Sequence, residues 1–66
     1  MTYNVGDYIE LNMLWGSWCG IITADLYGGF YHVRDSHGDI HMVYHTNIIS
    51  KLQPYEVLKY KVVYNV

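Results

Sequence analysis

The sequence predicts an all-β fold, a small curled sheet of short strands, and three features carry that prediction. Phe30 to His45 contains two runs of alternating side chains, Phe30-Tyr31-His32-Val33-Arg34-Asp35 and Ile40-His41-Met42-Val43-Tyr44-His45, joined by Ser36-His37-Gly38-Asp39; period two on both sides of a Gly-bearing turn reads as a β-hairpin. The other segments are equally short and are broken by Gly and Pro. Third, 52% of the residues are apolar and eight are Tyr, a composition that favours folding over disorder and pleated, half-buried surfaces over helices. At 66 residues the chain is one domain, near the size at which a single core only just outweighs chain entropy and surplus apolar surface seeks a partner.

Taken in order, Val5-Gly6-Asp7 is a turn-like lead-in, and Ile9, Leu11 and Met13 then alternate with Tyr8, Glu10 and Asn12 in a first strand. Leu14 to Ser17 forms the loop. Trp18 to Asp25 follows as a second strand in which adjacent Ile21 and Ile22 point to opposite faces, so both faces need cover. Leu26-Tyr27-Gly28-Gly29 makes the next turn. In the hairpin that follows, a turn centred on His37-Gly38 sets Val33 against Met42 and Tyr31 against Tyr44 on the core side, with His32, Arg34, His41 and His45 on the wet side. Thr46-Asn47-Ile48-Ile49 suits one 3₁₀ turn leading into a short strand at Ser50-Lys51-Leu52. Pro54 breaks the chain, after which Leu58, Tyr60, Val62, Tyr64 and Val66 alternate with Lys59, Lys61, Val63 and Asn65 as one more strand.

This order of elements resembles an SH3-like small barrel, the group that includes SH3, Tudor and KOW domains. The matching pieces are Val5-Gly6-Asp7-Tyr8-Ile9-Glu10-Leu11, Gly20-Ile21-Ile22, Tyr31-His32-Val33-Arg34, and Ile40 to Ile49 with its 3₁₀ turn. The resemblance implies five strands over residues 1–53 and leaves 54–66 as an additional C-terminal strand, packed on the barrel or on a partner chain. It also implies binding rather than catalysis, to peptides, modified side chains, RNA or other subunits. Leu14 to Ser17 is short and carries no acid, and Trp15, Trp18, Tyr27 and Phe30 are the candidates for an aromatic binding surface.

Charge narrows the partners. The formal net charge is -2 with four Lys and Arg in all, and the first fifty residues set Asp7, Glu10, Asp25, Asp35 and Asp39 against Arg34 alone, which argues against a phosphate backbone as ligand. A KOW-like nucleic-acid or ribonucleoprotein accessory is the alternative function, and a structural homo-oligomer subunit a third. Cys19 is the sole cysteine, so no internal disulfide forms and a reducing cytoplasm is expected. Met13 to Ala24 is too short to span a bilayer, and Met1-Thr2-Tyr3-Asn4 lacks the pattern of an export signal. Abundant Tyr, Ile and Asn beside one Ala, one Arg and one Pro fit an AT-rich coding source such as a phage, which would place the protein in a host cytoplasm and give it a host protein to bind.

Chemical sites are sparse. His32, His41 and His45 on one sheet face are the candidates for a metal, but no Cys, Asp or Glu joins them at a ligand spacing, and no cofactor is expected. Cys19 lacks an orienting acid, Asp7 and Glu10 fall on opposite strand faces, and Gly28-Gly29 lacks the Lys-Ser/Thr that would cradle phosphate. The sequence therefore predicts a non-catalytic protein-interaction module, an adaptor, inhibitor or accessory subunit. Its binding residues are Trp15, Trp18, Tyr27 and Phe30, and its self-association surface is Ile21, Leu58, Tyr60, Val62 and Tyr64.

Overall fold

The computed structural model describes residues 3–58. Five antiparallel strands, β1 (Tyr8–Met13), β2 (Gly16–Tyr27), β3 (Phe30–Arg34), β4 (Ile40–Tyr44) and β5 (Ile48–Lys51), form one sheet in the order β4-β3-β2-β1-β5. A 3₁₀ turn, His45–Asn47, separates β4 from β5. The sheet is open: β4 and β5 are its two edges and are not hydrogen-bonded to each other, so the closed barrel expected from the sequence is not formed among the described residues. The 3₁₀ turn carries the chain from one edge to the other, and its Asn47 ties the crossing down by accepting from the Tyr44 amide at 3.1 Å and donating to the Asn12 carbonyl at 3.4 Å.

Period two in β1 buries Ile9 and Leu11 as read from the sequence. They meet Ile22 of β2, Val33 of β3 and Val43 of β4 in a core whose five most enclosed side chains are at most 2% exposed, each contributing about 1.5–3 kcal/mol of transfer free energy. Tyr3, Tyr31, Ile48 and Leu52 complete it, and Met13 and Trp18 pack on its margin. Gly20 sits opposite Ile9 where two strands crowd. A Cβ there would lie 2.6 Å from both the Arg34 carbonyl oxygen and Val33 Cγ1, so only glycine fits.

The β1–β2 connection is tighter than predicted. Met13 pairs with Gly16, leaving a two-residue turn at Leu14-Trp15, and Gly16 takes φ +134° to enter β2. At the far end of β2, Tyr27 and Gly28 both have positive φ, 66° and 65°, and the Asp25 carboxylate accepts the Tyr27 amide at 2.8 Å.

The β3–β4 hairpin forms where the alternation placed it, but its register differs by one. Tyr31 pairs with Val43, His32 with Met42 and Val33 with His41. A five-residue loop, Asp35 to Asp39, replaces the symmetric turn: the Asp35 amide donates to the Asp39 carbonyl at 2.9 Å, and Asp35 Oδ1 accepts the His37 and Asp39 amides at 2.8 and 3.0 Å. Because side chains alternate strictly, this one-residue shift turns Met42 and Tyr44 outward and His41 inward.

The segment after Pro54 is also corrected. Residues 54–58 are helical, with Leu58 exposed, where a strand was expected. Pro54 occupies the first helical position, which tolerates its missing N–H. Glu56 reaches back to accept the Gln53 amide at 2.8 Å, and the Val57 amide donates to the Gln53 carbonyl at 3.0 Å, half of a capping box that starts the helix. The alternation of Tyr60, Val62, Tyr64 and Val66 lies outside the described residues. No helix among the described residues is long and apolar enough to cross a membrane.

Candidate functional site

Two surfaces stand out, at different places on the sheet. The first is the outer face of the β3–β4 hairpin. The observed register puts Phe30 beside Tyr44, His32 beside Met42 and Arg34 beside Ile40, all facing away from Tyr31, Val33 and Val43. Phe30, Ile40, Met42 and Tyr44 are 41%, 51%, 63% and 39% exposed, so four large apolar side chains share one open face. The Phe30 and Tyr44 rings lie 4.8 Å apart, and Tyr44 is 4.4 Å from the His45 ring. β4 is a sheet edge, and among the described residues no strand adds to it. An apolar face next to an unpaired strand edge is the kind of surface that soluble proteins avoid leaving open unless something covers it.

The second surface is at the tips of the β1–β2 and β3–β4 turns. β2 pairs with β3 only from Ile21 onward, so residues 16–20 overhang and a cleft opens between them and the Asp35 loop. Trp15, Ser17, Trp18, Cys19, Asp35, Ser36 and His37 line about 210 Å³. Trp15 stacks on Trp18 with centroids 5.8 Å apart and planes 19° from parallel, and His41 packs 4.8 Å from the Trp18 ring. His41 Nε2 donates to Asp35 Oδ2 at 2.6 Å. That bond, with the Asp39 and His37 amides at Oδ1, holds the Asp35 carboxyl below its ordinary range and outweighs the upward push of partial burial. Trp18 Nε1 is buried and has no acceptor among the described residues. Burial pushes the Cys19 thiol up, and nearby Glu10 and Glu56 add to the effect.

The structure separates residues that the sequence grouped. Trp15 and Trp18 come together, whereas Tyr27, 80% exposed at the end of β2, and Phe30 belong to the opposite end of the sheet. Ile21 faces outward beside Tyr8, Leu58 is in the helical segment, and Tyr60, Val62 and Tyr64 lie outside the described residues. His32 faces out from β3, His41 packs against Trp18, and His45 is in the 3₁₀ turn with its amide donating 2.7 Å to the Gly29 carbonyl. The single-face histidine group therefore does not assemble, and no group of three or more metal-ligating side chains exists among the described residues. Its premise was the symmetric hairpin turn. Met42, Ile40 and Tyr44 were missed as surface residues for the same reason, and the signal available in advance was Asp35, whose side chain can cap a loop two and four residues ahead. No protein-family model, curated protein or solved structure matches the chain.

Proposed function

We propose that the chain is a small non-catalytic protein-interaction module on an SH3-like sheet, and that it docks through the outer face and free edge of β4, a second copy of itself being the first partner to test. The single observation that carries this reading is the open apolar face of Phe30, Ile40, Met42 and Tyr44 on a sheet edge. Strand addition there supplies main-chain hydrogen bonds, and the outward side chains supply apolar burial and specificity. Support for the SH3-like arrangement is the strand order β4-β3-β2-β1-β5 with a 3₁₀ turn between the last two strands. A cytoplasmic setting accords with the solitary Cys19.

A photo-crosslinking side chain at position 42, compared with one at exposed Ser50 on β5, tests the reading in purified protein and in extract of the native cell. Position 42 is expected to give a covalent dimer or a discrete larger species that Ile40→Lys removes. Light scattering should report the same loss of mass. If position 42 captures nothing beyond what position 50 captures in either setting, the reading is wrong.

A further inference from the structure

The main chain along the free edge of β4 is open at some residues and closed at another. The Asp35 amide donates to the Asp39 carbonyl at 2.9 Å and the His45 amide to the Gly29 carbonyl at 2.7 Å, which fixes the phase of the β3–β4 ladder. Odd-numbered residues of β4 bond β3, and the alternation of an antiparallel ladder turns the amides and carbonyls of Ile40, Met42 and Tyr44 off the edge. One of those amides is taken. Tyr44 donates to Asn47 Oδ1 at 3.1 Å, so the carboxamide occupies the place where a neighbouring strand would set its carbonyl. Ile40 and Met42 keep both backbone groups open among the described residues.

The opposite edge is blunted. β5 has four residues, its register with β1 slips between Glu10 and Leu11, and Lys51 stands at its end, all features that discourage strand addition. β4 carries no Lys, Arg, Asp or Glu, so two copies of it meet without like-charge repulsion. A head-to-tail chain of β4 on β5 is thereby disfavoured, and a closed pair of β4 on β4 is the arrangement the two edges allow.

We propose that two copies of the chain join β4 to β4, antiparallel about a two-fold axis at His41, making one continuous sheet from the two five-stranded ones. Ile40 then opposes Met42 of the second copy and Met42 opposes its Ile40, each pair exchanging both of its N–H···O bonds. This register uses the open groups of Ile40 and Met42 and stops short of Tyr44. Moving the axis to Met42 would bring Ile40 of the second copy against Tyr44, where Asn47 is in the way. His41 accommodates the axis because its ring packs 4.8 Å from Trp18 and its Nε2 donates to Asp35 at 2.6 Å, which draws it over its own sheet. Strands of five residues make a short interface, below the ~1,200 Å² of stable complexes, so the pair forms in proportion to concentration. The inference rests on β4 being the docking edge and adds the register of the second copy and the part Asn47 plays in setting it.

The test is cysteine pairing in the full chain on a Cys19→Ser background. Ile40→Cys and Met42→Cys proteins are mixed at millimolar concentration in a glutathione buffer, and the disulfide-linked products are separated by mass. Ile40 and Met42 are 51% and 63% exposed, so neither substitution disturbs the core. The mixed disulfide should exceed the Met42→Cys homodimer about ten-fold, because opposed Cα atoms lie ~5.5 Å apart while the two copies of residue 42 fall beyond the ~7 Å limit of a disulfide. Asn47→Ala should bring the Met42→Cys homodimer up to parity with the mixed product, and Asn47→Asp, which keeps the acceptor, should not. A dominant Met42→Cys homodimer with Asn47 in place overturns the register, and an unchanged ratio in Asn47→Ala overturns the part given to Asn47. A mixed product no more abundant than one formed with Ser50→Cys overturns self-pairing, and would leave capture of a different protein at position 42 as the surviving form of the docking reading.

Discussion

Replacing Gly20 by alanine tests the packing at the centre of the sheet. The added Cβ would lie 2.6 Å from the Arg34 carbonyl oxygen, 2.6 Å from Val33 Cγ1 and 3.0 Å from the Trp18 ring. A comfortable C···O approach begins at ~3.3 Å, so the two backbones must part by about 0.7 Å at the point where the β2–β3 ladder begins with Ile21 and Arg34. Val33 cannot give way either, being 0% exposed and stiff at χ1. Overpacking of this kind costs about 1–3 kcal/mol. With a carbonyl and a branched core side chain both in the way, the upper end applies, offset by roughly 0.4–1 kcal/mol from the less flexible unfolded chain. The net loss is ~2 kcal/mol, against a total of roughly 3–10 kcal/mol for a chain of this length, and it should lower Tm by about 8–16 °C. Gly28→Ala is the control. Gly28 has φ +65° but nothing within 4 Å of where a methyl would sit, so the substitution carries backbone strain alone, about 1 kcal/mol. Thermal unfolding followed by circular dichroism gives the order. If Gly20→Ala melts at or above Gly28→Ala, the account of the crowded sheet centre fails.

Other outcomes follow from the same contacts. Because the folded-state Asp35 carboxyl sits below its unfolded value, its contribution to stability is complete above about pH 4 and is lost as pH falls through the lower folded value; in acid titrations of Tm, Asp35→Asn should flatten that decline. Glu56→Ala removes the acceptor of the Gln53 amide and should raise hydrogen exchange at Gln53 and Val57, with a stability loss of about 0.5–1 kcal/mol. Cys19 should react with iodoacetamide more slowly than a free thiol at mildly alkaline pH, and Glu10→Gln should speed it, since Glu10 contributes to the raised thiol. Met42→Lys should change stability by less than ~0.5 kcal/mol, because Met42 is 63% exposed, while lowering any mass gained by self-association.

Local pattern determined most of the strands. Alternation in Tyr8–Met13 assigned Ile9 and Leu11 to the core, and the Gly-bearing turns delimited β2, β3 and β4, because side-chain direction in a strand follows from residue parity alone. Parity does not say which residues oppose each other across a turn. That depends on loop length, and the Asp35 carboxylate, by accepting two amides, lengthened the loop to five residues and exchanged the faces of Met42, Tyr44 and His41. The exposed apolar face and the breakup of the histidine group both come from that one shift. The pairing of Trp15 with Trp18 beside Asp35 was likewise beyond sequence reasoning, since it requires β2 to overhang β3 and bring residues distant along the chain to one cleft. After Pro54, alternation and helix initiation competed over the same residues, and the Glu56 cap decided for helix at 54–58. Sequence thus settled which faces are apolar, through short-range stereochemistry, whereas tertiary contacts settled which of those faces meet and which remain open, through hydrogen bonds whose partners are distant or whose geometry the residue order leaves free.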